Sequence, residues 1–270
     1  MTTHRKLYSP TLQTIARYVV GTALHSVFSL NYSGLENIPK EGPFIFAANH
    51  LKMSDSFIIG LAAERLHFGM GKEEYYFWPG IKQLLTWLGA FPVARKIKYE
   101  KLIEKYGKEK VNRYLLAPDQ FNYEEYVPAA LRDELIRDIQ KTLPKHEIQE
   151  IKTLSSTTLG CYFAMKGEGL LIHTEGTRHA DGIIHNLYPG AAKVALDVDQ
   201  KYNTNVALLP CAIAYQEPCG FRSNVDVVVG RKIALQNYRE EMAVKDLTIT
   251  LENKLKELYE EAKMLANGNT

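Results

Sequence analysis

The chain has 270 residues and a mass of 30.7 kDa, with 33 Lys+Arg against 31 Asp+Glu and a formal net charge of only +2. Hydrophobic residues at 46% and charged residues at 24% exclude wholesale disorder, and the weak basic surplus argues against a dedicated nucleic-acid binder. Three cysteines, Cys161, Cys211 and Cys219, are too few and too irregularly spaced for a disulfide framework or a zinc knuckle, which favours a reducing compartment.

From Thr11 to Asn31, apolar residues at 12, 15, 16, 19, 20, 23, 24, 27 and 28 follow the spacing of an amphipathic helix. Gln13, Arg17, His25 and Ser26 form its expected polar face, which argues against a membrane span. Leu30-Asn31-Tyr32 offers no small-residue cleavage site, which weakens a signal-peptide reading. The N-terminal segment 1–32 is therefore expected to dock on the core or lie in a membrane interface, with Arg5, Lys6 and Arg17 available to anionic headgroups.

After Pro39 the pattern becomes alternating α/β. Phe44 to Ala48 is a short continuous apolar run, as in a strand buried on both faces. Ser54-Asp55 precedes the apolar segment Phe57 to Ala63, which reads as a capped helix. A second aromatic run, Tyr75 to Val93, is broken by Pro79-Gly80, so neither half can span a bilayer. It suits an interfacial surface or an aromatic core equally.

Residues 95–113 hold eight basic side chains against three acidic ones, net +5, and residues 119–150 hold eight acids against four bases, net −4. With no strand pattern there and with Leu131, Leu135, Ile136 and Ile139 at helical spacing, 97–154 reads as an inserted helical subdomain. Its basic run is either a solvated helix face or a landing surface for anionic lipid or an acidic carrier protein.

Downstream, Gly169 to His173, Val206 to Tyr215 and Val225 to Val229 read as strands, and Ala191 to Val198 as a helix. Leu247 to Leu265 reads as a covering terminal helix with apolar residues at 247, 251, 255, 258 and 262. The expected fold is a single α/β domain over 1–270. Its mostly parallel sheet is covered by helices on both faces, with the N-terminal amphipathic helix and the insertion added.

Chemistry is sought at the carboxyl ends of parallel strands. Asn49-His50-Leu51-Lys52-Met53-Ser54-Asp55 stands at such an end. With His50 in the loop and Asp55 at the helix start, the carboxylate can fold onto the imidazole, fix its tautomer and leave the other nitrogen as a general base. No nucleophile accompanies the pair, so His50 would act directly on a substrate hydroxyl. Three further strand-end blocks follow. Gly89 to Arg95 presents a fixed cation, His173-Thr174-Glu175-Gly176-Thr177-Arg178 adds a carboxylate and a second arginine, and Leu208 to Ile213 carries Pro210. Two arginines converging on a His–Asp pair suit an anionic substrate, most simply a phosphate monoester. Gly-x-Ser-x-Gly, Walker and Gly-x-Gly-x-x-Gly signatures are absent.

These four blocks, in this order, resemble the glycerophospholipid acyltransferase family, whose best-known members are lysophosphatidate acyltransferases. The patterns concerned are Asn-His-x4-Asp, Gly-x-x-Phe/Pro-hydrophobic-x-Arg, Pro-Glu-Gly-Thr-Arg and an apolar segment with a central proline. The resemblance covers roughly residues 33–95 and 155–235 and includes the lead-in Gly34 to Pro43 and the run Gly190 to Ala195. It implies His50 as general base and Asp55 as its orienting partner. Arg95, Glu175, Gly176 and Arg178 become acceptor-phosphate and glycerol contacts, and Asn49, Lys52 and Thr177 complete the substrate-binding set.

The implied reaction moves a fatty acyl group from an acyl-CoA or acyl-carrier-protein thioester to a hydroxyl of a lysophospholipid or glycerol phosphate acceptor. The implied setting is cytoplasmic or peripheral on a membrane. Oxyanion donors are expected among backbone N–H groups near the helix start at Asp55. The chain departs from the family pattern at Lys52, where Ser is usual, at His173-Thr174 in place of Phe-Pro, and at Tyr188 in place of a lysine. Lys52 either contacts phosphate or thioester or is solvated. His173, His179 and His185 recur every six residues, but alternation along strand and turn argues against shared coordination; no metal or bound cofactor is expected. A glycerol-3-phosphate, other lysophospholipid or glycolipid acceptor is the near alternative. A catalytically silent lipid- or acyl-carrier-binding protein is the alternative of another class.

Overall fold

The computed structural model describes residues 9–63, 65, 67–72, 80–81, 84–85, 88–93, 104, 169–179, 181–201 and 203–268. Arg95, the basic run after it and, apart from Glu104, the expected insertion 97–154 lie outside the described residues.

The chain forms two compact units, one of residues 1–13 and 68–162, the other of residues 14–67 and 163–270. In the first, β3 (His67–Lys72, beginning at the boundary) and β4 (Ala90–Val93) pair in parallel, Gly69 opposite Ala90 and Lys72 opposite Val93.

The second unit holds five strands in the order β1–β7–β6–β2–β5: β1 Ser29–Ser33, β2 Phe44–Ala48, β5 Gly169–His173, β6 Ala207–Tyr215 and β7 Asn224–Val229. All neighbours are parallel except β6 and β7, so the sheet is mostly parallel as expected. Every residue of β2 is buried, which is why its apolar run does not alternate. Side-chain alternation on β6 and β7 sorts the core into two faces. Leu209, Cys211, Ile213, Tyr215, Val225, Val227 and Val229 join Phe44, Phe46, Ile58 and Ile59 on the face of α2 (Asp55–Ala62). Ala212, Ala214 and Val228 meet Leu255, Tyr259, Ala262 and Ala266 of the last helix, Ala243–Ala266, on the other face. The small alanines on β6 let this helix, α4, lie close. The remaining helix of this unit, α3 (Gly190–Leu196), begins near the position expected and runs into a π-helical turn, Asp197–Lys201.

The N-terminal segment differs from expectation in two ways. α1 spans Pro10–Val27, and the residues from Ser29 form β1 rather than helix, pairing with β7 from Ser29 opposite Asn224. Its faces are also partly reversed. Arg17 turns inward and donates to the carbonyls of Ala63 and Leu61 at the end of α2, while Ile15, Tyr18 and Val19 are exposed. The guanidinium satisfies carbonyls that a helix end leaves without partners, and that outweighs the apolar stripe. No described helix is long and apolar enough to cross a membrane.

Candidate active site

The site grows from one sheet edge. The register sets Ala48 opposite both His173 of β5 and Cys211 of β6, so β2 and β5 end together while β6 runs on to Tyr215. Asn49, the first residue beyond β2, is fully buried. Its amide donates to the Ile213 carbonyl at 3.0 Å and its oxygen accepts the Ile213 N–H at 2.8 Å. Expected among the substrate contacts, Asn49 pairs its side-chain amide with the main chain of β6.

His50 follows in the loop. Its Nδ1 lies 3.1 Å from Asp55 Oδ2, and its side chain keeps 19% exposure while Asp55 has none. The same Oδ2 accepts the N–H groups of Leu51 at 2.6 Å and Lys52 at 2.7 Å, and Oδ1 accepts the Tyr215 hydroxyl at 2.6 Å. Burial alone would push the Asp55 carboxyl up, but the hydrogen bonds from His50, Tyr215 and the Lys52 N–H together hold it below its ordinary value. An ionised Asp55 makes Nδ1 of His50 the protonated nitrogen and leaves the Nε2 lone pair able to accept a proton. The amides of Leu51 and Lys52, near the expected oxyanion donors, are spent on this carboxylate.

Ser54, the expected helix cap, makes no capping bond and donates its hydroxyl to Tyr215 at 2.9 Å. The Tyr215 phenol, with burial the main cause and the Asp55 charge adding to it, is held strongly protonated and so remains a donor. The Lys52 ammonium sits 4.1 Å from the Tyr215 ring centroid and 2.9 Å from Cys219 Sγ, at the exposed margin of the site.

Glu175 is buried as well. Its Oε2 accepts the His50 N–H at 3.0 Å and its Oε1 the His185 N–H at 2.9 Å. Placed by resemblance among the glycerol contacts, it bridges the His50 loop and the loop after β5. Gly176 occupies the left-handed region at φ +63°, open to glycine at no steric cost. Thr177 and Arg178 beyond it are exposed, and among the described residues no ion-pair partner of Arg178 is found. Arg95 lies outside the described residues.

Sequence reasoning missed His173 as a functional residue. Its ring stacks on that of His50, centroids 3.9 Å apart and planes at 16°. Its Nδ1 donates to the Asn49 carbonyl at 2.7 Å and its Nε2 accepts the Ser56 hydroxyl at 2.8 Å. Burial, then the neighbouring His50, lowers its pKa to about 4, so it stays neutral at physiological pH. Its only signal in the sequence was a departure from the family pattern, the place where Phe is usual. Tyr215 and Ser56 left no signal at all.

Residues 29–121 match a family model described as Acyltransferase. That span contains the Asn-His-x4-Asp block whose geometry has just been given. Over that span, about a third of the chain, the sequence is similar to this acyltransferase family. Among solved structures it is similar to the 1-acyl-sn-glycerophosphate (LPA) acyltransferase PlsC from Thermotoga maritima, with a TM-score of 0.54 and 17% identity over 93% of this chain and 78% of that one. At that identity the likeness shows a shared fold, the α/β architecture with a mostly parallel sheet. No curated protein matches the chain. The family match supports acyl transfer as the reaction class.

Proposed function

We propose that this protein is an acyltransferase that moves a fatty acyl group from an acyl-CoA or acyl-carrier-protein thioester to a hydroxyl of a glycerol-phosphate lipid, in the manner of a 1-acylglycerol-3-phosphate O-acyltransferase. The observation that carries the reading is the His50–Asp55 pair, with a buried carboxylate on Nδ1 and a reachable ring.

As the acceptor oxygen attacks the thioester carbonyl, its proton passes to His50 Nε2. The imidazolium so formed is stabilised by Asp55. Collapse of the tetrahedral intermediate breaks the C–S bond, and the leaving thiolate takes the proton back. A thiolate leaves readily enough that no covalent acyl-enzyme is needed. His173 supports this cycle by staying neutral: a second cation stacked at 3.9 Å would oppose the charge that His50 must acquire. The exposed Arg178 and the Lys52 ammonium are cations suited to the acceptor phosphate, with Gly176 and Thr177 as further proposed contacts. A soluble or membrane-peripheral protein at a lipid surface fits this chemistry.

His50→Ala should lower turnover at least about 10²–10⁴-fold, the usual range for a general base, with unchanged circular dichroism. Turnover near that of the wild type in a folded variant would defeat the mechanism. A panel of lysophospholipid, glycerol 3-phosphate and glycolipid acceptors with one labelled acyl-CoA, scored by product mass, identifies the acceptor. Lipid binding without thiol release for any acceptor would favour a silent binding protein instead.

A further inference from the structure

The loop after β5 carries a second constellation that acyl transfer does not use. His179, Asp181 and His185 each bring one ligand atom to a common place, all within 4.8 Å of one another. The two imidazole rings stack with centroids 3.8 Å apart and planes at 23°, and His185 Nε2 lies 2.6 Å from Asp181 Oδ2. Alternation along the chain argued against such a meeting. The reversal comes at Gly182, whose φ of +76° folds the chain back between the two histidines.

Main-chain bonds hold the cluster in place. The His179 N–H donates to the His50 carbonyl at 2.9 Å, the His185 N–H to Glu175 at 2.9 Å, and the Tyr188 N–H to the Thr174 carbonyl at 2.9 Å. Two ligand residues are therefore anchored through their own amides, and the side chains are left to approach each other.

We propose that His179, Asp181 and His185 bind a divalent transition metal of the zinc class, with water completing the coordination. Two imidazoles and a single carboxylate suit zinc and its neighbours, whereas calcium and magnesium call for a shell of oxygens. Metal–nitrogen bonds of about 2.0–2.1 Å around a tetrahedral ion put donor atoms roughly 3.3 Å apart. The His185–Asp181 pair at 2.6 Å has to open slightly and the wider donor separations to close by up to about 1.5 Å, adjustments that exposed side chains reach through their rotamers; His185 and Asp181 are 35% and 50% exposed. The ion would clasp the loop whose Glu175 and His179 hold the main chain on either side of His50. Its part is to stiffen that support, with no place in the acyl transfer itself.

The test uses the full chain, stripped with a chelator and titrated with Zn2+ against a chromophoric competitor, then with Co2+ followed by visible absorption. About one equivalent should bind per chain, with a rise in thermal midpoint. His179→Ala, Asp181→Asn and His185→Ala should each weaken Zn2+ binding at least about tenfold, while His25→Ala, on exposed α1, leaves it unchanged. Should a variant fail to fold, NMR of the wild type decides: Zn2+ must shift the ring signals of His179 and His185 and leave those of His25. Absence of Zn2+ binding below millimolar concentration, an unweakened His185→Ala protein, or equal competition by Mg2+ would overturn the proposal.

Discussion

Two pairs of stacked imidazoles lie along this fold, one at 3.9 Å (His50 on His173) and one at 3.8 Å (His179 on His185), and each has a carboxylate at one ring. The geometry is nearly the same and the surroundings are opposite. Asp55 is wholly buried with hydrogen bonds from His50, Leu51, Lys52 and Tyr215, whereas Asp181 stands half exposed beside His185. His173 is saturated by Asn49 and Ser56 and kept neutral. The first pair can hold one tautomer through a proton-transfer cycle; the second has the freedom to re-aim its donors at an ion. Burial and hydrogen-bond saturation, rather than stacking, separate an orienting carboxylate from a ligating one.

The contrast can be broken most severely at Asp55. Asp55→Asn should cut turnover about 10²–10⁴-fold in steady-state assays, because the amide no longer selects the Nδ1–H tautomer. A loss under tenfold would mean that Asp55 only packs.

His173→Phe tests the neutral ring. The folded-state pKa lies near 4, below the ordinary value of 6.5, so the unfolded chain binds the proton first as pH falls. The neutral ring's contribution is complete above pH 6.5 and is lost as pH drops towards 4, by up to about 3 kcal/mol. Denaturant titrations of His173→Phe should show a flatter slope across that window, and an unchanged slope would remove His173 as its source. Asp55 acts lower on the scale: its depressed pKa costs stability only as pH falls below about 4.

Tyr215→Phe deletes one hydrogen bond to a buried carboxylate and should cost about 1.5–3 kcal/mol, measured by urea unfolding. Asp181→Asn is the smallest break. In metal-free protein it should leave the thermal midpoint nearly unchanged, because both partners are solvated.

What could be read from residues alone follows the same division. β2, β5, β6 and β7 were legible because buried strands show as unbroken apolar runs, and the terminal helix because its stripe is regular. β1 was not, since Ser29–Ser33 is short, polar and continuous with a helical pattern. The periodicity of α1 defined its faces, yet which one turns inward depended on α2 carbonyls that Arg17 finds 44 and 46 residues away. His50 and Asp55 were legible because five positions and one turn join them. The hydrogen-bond partners of Asn49 and Glu175 were not legible because they are backbone groups, which carry no residue identity to read. Tyr215 comes from 160 residues beyond Asp55, with nothing in its own neighbourhood to mark it.

Arg17 carries one further consequence. Helix α2 is only eight residues, about 12 Å long. At one end its Asp55 is tied to the loop and to Tyr215; at the other its last carbonyls are gripped by the N-terminal helix. The proposed general base therefore rests on a beam clamped at both supports. Loosening the far clamp, with Arg17→Ala, should reach His50 as a change in turnover without altering a single group that touches the substrate.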